Sequence, residues 1–271
     1  MKTDASVLSR CVVFASLYVV MCFQAQAQMP TSTVNDLRIL NAFRQAHGPS
    51  KVVNPNRDYG NCDSIALIKT AMATFGIDAV FQSPNVLPIA NNQATYSVVL
   101  RDGHPVNLSH AELDEVINDL QHNSGFVLPD IAATGDETIL FKANFLYAVM
   151  AKEMLARTDV DLYKHIGTYE AALDRLAMGI DVFSKRKGQV PVDQVGVLLG
   201  LSLKDVTVQP ALPLGPYMYA LRKHVVYAYG DEGDNFGVRA PFATILQGHS
   251  TIFTRGWGMN QHPRKYVIYT P

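Results

Sequence analysis

Asp58-Tyr59-Gly60-Asn61-Cys62-Asp63-Ser64-Ile65-Ala66 decides how this chain is read, because a glycine-containing turn passes here directly into a run with helical apolar spacing. Ile65, Ile68, Met72 and Phe75 fall three or four positions apart and so line one face of a helix, flanked by Ala66 and Ala71. Gly76 is expected to end that helix in a left-handed cap. Cys62 therefore stands at a helix N-terminus, where unpaired backbone N–H groups favour a negative charge.

The count of cysteines turns on the first thirty residues. Lys2 and Arg10 precede an apolar stretch from Cys11 to Phe23, and Ala25-Gln26-Ala27 has the small-x-small form read by signal peptidase. A signal peptide over residues 1–27 is expected, with cleavage near Ala27 and a secreted or periplasmic protein as the product. The stretch is shorter than the roughly twenty apolar residues that span a bilayer, so no membrane span is expected after cleavage. Removal takes Cys11 and Cys22 and leaves Cys62 as the only thiol, so no internal disulfide can form.

Of the 271 residues 48% are hydrophobic, enough to bury a core, and the formal net charge of -1 lacks the basic footprint of a nucleic-acid binder. Outward from Cys62, residues 33–47 read as a short helix and 48–59 as a turn-rich stretch. Residues 95–100 read as a strand, and Asp102-Gly103 as a tight turn. Ser109 and Glu112 form a capping box for a helix running to Leu120. Helices are expected over 141–157 and 161–178, and a short one over 195–203. Strands follow at 217–222, 224–229, 244–246, 251–254 and 266–269. Helices first and antiparallel strands last give an α+β fold, taken as a single catalytic domain over 28–271 with a helical lobe and a β lobe.

A thiol attacks a carbonyl only as its thiolate, and besides the helix start an imidazole is the usual means of generating one. His224 heads the run His224-Val225-Val226-Tyr227-Ala228-Tyr229, a polar ring opening an apolar strand, and is the first choice among eight histidines; His249 is the second. His47, His104, His110, His122, His165 and His262 occupy polar or terminal contexts and read as surface or structural residues. No metal-binding or phosphate-binding pattern occurs, so neither metal nor cofactor is expected.

Gly60-Asn61-Cys62 followed by a helix resembles the nucleophile motif of the calpain and papain superfamily of cysteine peptidases. A second island, Phe145 to Met154 and then Gly167-Thr168-Tyr169-Glu170-Ala171-Ala172-Leu173 with Gly179 closing it, is similar to a core segment of calpains. The spacing of 162 positions between Cys62 and His224 (224 minus 62) also resembles that family. The resemblance implies a papain-like fold, with Cys62 as nucleophile and His224 as base. It also implies an oxyanion donor at Asn56, six positions before the cysteine.

Two positions depart from the family. Asp63 stands where tryptophan follows the cysteine, and Arg255 stands where an asparagine orients the histidine. Arginine carries only donors and cannot accept the imidazole N–H. Asn235 takes that role in our reading, with Asp234 as the alternative; the ordinary reading of residues 230–237 is a turn. The expected activity is hydrolysis of peptide or isopeptide bonds in a protein or peptide substrate through an acyl-enzyme. The competing readings are acyl transfer through the same Cys-His pair and a catalytically inactive papain-like binding protein.

Overall fold

The computed structural model describes residues 32–45, 47–49, 58–82, 95–118, 127–129, 136–158, 163–177, 192–209, 211–221, 224–235, 237–248 and 263–270. The chain divides into two compact units, Met1–Val34 and Asn35–Pro271, and the architecture below is that of the second. The expected signal peptide lies outside the described residues.

Helix α1 (Ser32–Ala42) is shorter than the helix expected to reach residue 47, because Phe43 opens strand β1 (Phe43–Gln45), which pairs antiparallel with β6 (Val127–Pro129). Backbone pairing prevails over local helical spacing there. Strands β2 (His47–Pro49) and β3 (Asp58–Gly60) form a second ribbon, and β3 delivers the chain to α2 (Cys62–Phe75). The helix begins with Ile65 N–H donating to the Asn61 carbonyl at 3.0 Å. Every residue from Cys62 to Met72 is buried, so α2 is enclosed on all sides up to its last turn, where Thr74 is exposed, rather than along the one expected face. Gly76 has φ 100° but ψ 151°, a positive-φ exit in place of the expected left-handed cap.

Strands β4 (Thr95–Val99) and β5 (Pro105–Ser109) pair across the Asp102-Gly103 turn, where Gly103 takes φ 86°. The Ser109–Glu112 capping box is present and starts α3 (His110–Ile117), which stops short of Leu120. Asp136 caps α4 (Glu137–Ala156), a largely buried helix. The next helix, α5 (Tyr169–Ala177), begins later than expected, because Thr168 Oγ1 accepts the Ala171 N–H at 3.1 Å and fixes the start after Gly167. Helix α6 (Val192–Val195) continues as a 3-10 turn (Gly196–Leu199), so the first part of the short helix expected over 195–203 is helical, and only its end, Ser202 and Leu203, belongs instead to strand β7 (Ser202–Asp205).

The main sheet has six antiparallel strands in the order β11-β10-β9-β8-β12-β7. Its members are β7, β8 (Pro216–Leu221), β9 (His224–Tyr229), β10 (Glu232–Asn235), β11 (Val238–Pro241) and β12 (Arg264–Tyr269). Within the stretch 230–237, read as a turn, Gly230 and Asp231 do turn, whereas Glu232–Asn235 form β10, which pairs with β9 on one side and β11 on the other. Residues 242–248 form helix α7, not the strand expected at 244–246: Phe242 and Ile245, three apart, pack on one face of the sheet. The strand expected at 251–254 lies outside the described residues.

The register fixes which helix covers which face. Met218, Ala220, Val225, Tyr266 and Ile268 join the main core with Ile65, Ile68 and Met72 of α2, whereas Leu221 clusters with Ala240 and Ile245, backed by Tyr219 and Phe242. Helix α2 thus lies along β9, β8 and β12 on one face, and α7 covers the other. This double cover explains why five of the six β9 residues are buried instead of alternating. The fold is α+β with antiparallel sheets. Among the described residues no helix is long and apolar enough to cross a membrane.

Candidate active site

Cys62 is 5% exposed, and its sulfur accepts a hydrogen bond from the backbone N–H of Val225, the residue after His224. That contact places the sulfur within roughly 6 Å of the His224 Cα. The β8–β9 register sets Val225 opposite Ala220 and His224 opposite Leu221, and directly opposed residues share a face. Val225 therefore faces α2 and His224 leaves the strand toward α7. His224 is the first residue of β9 and, paired with Leu221, closes the β8–β9 hairpin, so the register sets its side chain and the Cys62 sulfur on opposite faces of the sheet. His224 as a whole is 5% exposed.

The electrostatics of the thiol oppose ionisation. Burial pushes the Cys62 pKa up to about 12, the neighbouring Asp63 charge adds to the rise, and backbone N–H groups of Val225, Asp63 and Cys62 act against it. Asp63 is itself 2% exposed, and burial raises its carboxyl to about 7 despite hydrogen bonds from the backbone N–H groups of Ser64 and Asp63. These two bonds take the place of a side-chain cap, since Asn61, the residue before the helix, makes none. Among the described residues, Asp63 Oδ1 and Ser64 Oγ are buried with no hydrogen-bond partner.

Asp234, the alternative orienting residue, is engaged elsewhere. Its Oδ2 accepts from Lys69 Nζ at 2.7 Å, and its Oδ1 accepts from the Gly237 N–H at 2.6 Å. It follows Gly233, which opposes Ala228, and so stands beside Tyr227, about 10 Å along β9 from His224. Asn235 closes β10 opposite Val238. Its side chain, along with Asn56, His249 and Arg255, lies outside the described residues.

The remaining described histidines have structural settings or lie at the surface. His104 Nδ1 bonds the buried Glu153 carboxylate at 2.9 Å, His110 lies against the Tyr96 hydroxyl, and His165 is exposed.

Lys69 was missed by the sequence reading. It is fully buried, donates to the Leu40 carbonyl as well as to Asp234, and lies over the Phe43 ring. The available signal was a lysine four positions after Ile65 and three before Met72, inside the apolar row. Nearby, Asp36 accepts from the Tyr227 hydroxyl and pairs with Arg239, so α1, α2 and the sheet are joined by buried charge pairs. Among the described residues no group of three or more His, Cys, Asp or Glu side chains is arranged to hold a metal.

No family model matches the chain, and neither a curated protein nor a solved structure is significantly similar to it.

Proposed function

We propose that the chain is a papain-like cysteine hydrolase that cleaves peptide or isopeptide bonds through Cys62 and His224. The observation that carries this reading is the hydrogen bond from the Val225 N–H to the Cys62 sulfur, which lays the start of the cysteine helix against the head of the strand that His224 opens. A buried helix packed along an antiparallel sheet, cysteine on one and histidine on the other, supports the papain-like form of the α+β fold.

In this mechanism the His224 imidazole, which the register sets on the α7 face, turns toward α2 and takes the thiol proton. A thiol raised to about 12 does not release it to water near neutral pH. The thiolate attacks the carbonyl carbon, and the Cys62 N–H at the start of α2, together with the Asn56 amide, holds the oxyanion. Collapse expels the amine, which takes the proton from the imidazolium. Water activated by the same imidazole then hydrolyses the thioester. Asn235 accepts the second imidazole N–H and orients the ring. If an amine replaces the water, the same steps make an acyl transferase. Export to a secreted or periplasmic location belongs to this proposal and rests on the N-terminal sequence.

The test is hydrolysis of mixed peptide and isopeptide libraries by the wild-type chain, Cys62→Ala and His224→Ala. Turnover by the wild type and its loss in both variants is the expected outcome; turnover that persists in Cys62→Ala sinks the reading. One observation favours a second reading, a non-catalytic binding protein on the same scaffold: the resting thiol is raised by burial and by Asp63. Absence of turnover in the wild type, with a titrated Cys62 pKa well above 8.5, selects it.

A further inference from the structure

Four acids are buried among the described residues: Asp36, Asp63, Glu153 and Asp234. Three of them have cations, since Asp36 pairs with Arg239, Glu153 with Arg157, and Asp234 with Lys69. Asp63 is the exception. One part of its carboxyl takes backbone N–H groups at the start of α2, while Oδ1 is buried with no partner among the described residues, as is the hydroxyl of Ser64 on the same first turn. A buried carboxylate oxygen without a donor is a costly arrangement, and a site that completes it by binding a donor recovers that cost.

We propose that Asp63 is a recognition carboxylate for an organic cation, so that the bond attacked by Cys62 lies next to a lysine-, arginine- or amine-type group of the substrate. This inference rests on the hydrolase reading and names its substrate class. Asp63 is next to Cys62 in the chain, and its charge acts on the thiol. A bound alkylammonium or guanidinium placed against Oδ1 supplies the missing donor, and guanidinium matches a carboxylate edge with two parallel N–H groups. The same cation cancels the negative charge that opposes the thiolate, so the correct substrate promotes ionisation of its own nucleophile. A substrate with a neutral group at that position leaves the carboxylate unpaired and the thiol protonated.

The experiment reads the thiol directly and does not depend on turnover. Cys62 alkylation by iodoacetamide is followed by intact mass, with and without millimolar n-butylguanidinium chloride, against sodium chloride at equal ionic strength. A several-fold acceleration is expected in the wild type. In Asp63→Asn, labelling is expected to be faster than wild type without additive and unchanged by it. No acceleration in the wild type overturns the proposal, as does equal acceleration in Asp63→Asn; if that variant does not fold, the wild-type arm decides alone. Peptides matched except for lysine or norleucine beside the scissile bond then separate the two readings. Failure to cleave either one counts against the hydrolase, and equal cleavage of both counts against Asp63 as the selector.

Discussion

Lys69 Nζ lies 2.7 Å from Asp234 Oδ2, a contact that fastens the cysteine helix to β10, the strand that follows the one His224 heads. The lysine side chain is fully buried and that of Asp234 is 11% exposed, so removal of either partner strands a charge out of water. Lys69→Ala and Asp234→Ala are each expected to lower stability by about 3–5 kcal/mol. The pair Lys69→Met with Asp234→Leu is expected to lose much less than the sum. Urea unfolding of the four chains checks this, and a loss under ~1 kcal/mol in either single variant contradicts the buried pair.

Asp63 sets a pH dependence whose sign follows from burial. At a pH below the ordinary carboxylate value of 3.8 the group is protonated folded or unfolded, and burying it incurs no charge penalty. Between that value and about 7 the unfolded chain is ionised while the folded one keeps its buried carboxyl protonated, so stability falls as pH rises across that window and levels off above it. At about 1.4 kcal/mol per unit the fall amounts to several kcal/mol. Denaturation at pH 4.5, 6 and 7.5 is expected to show Asp63→Asn gaining on the wild type as pH rises. Parallel curves contradict it.

Gly200 holds a turn with no space for a side chain. Its φ is +66°, and a Cβ there meets Leu100 Cβ and Asp102 Oδ1 at 2.7 Å and Arg101 N at 2.9 Å. Gly103, at φ +86°, has nothing within 4 Å of the same atom. Gly200→Ala is expected to lose about 2–4 kcal/mol, strain and clash together, and Gly103→Ala about 1 kcal/mol from strain alone. Thermal melts of the two variants check the difference, and equal losses contradict the clash.

What the sequence made legible is what local chemistry determines. Cys62 opening α2, the Ser109–Glu112 capping box and the strand from His224 follow from spacing and caps a few residues long. The misreadings fall where distant parts of the chain decide. Phe43 leaves its helix to pair with Pro129, and residues 242–248 coil because Phe242 and Ile245 share one sheet face. At the site, the sequence marked Cys62 and His224 but not that they belong to opposite faces of the sheet, a fact set by the Leu221–His224 register. Nor did it reveal Lys69, since a lysine in an apolar row shows its partner only once Asp234 is folded against it.

The central claim is that His224 activates Cys62, and labelling by a peptidyl epoxide tests it most directly. Intact mass and peptide mapping report the rate and position of the adduct in the wild type and in His224→Ala. One equivalent added at Cys62 in the wild type, with labelling at least a hundredfold slower in His224→Ala, is the expected result for a base worth ~10²–10⁴-fold. Equal rates in the two chains contradict the claim and leave Cys62 an ordinary buried thiol.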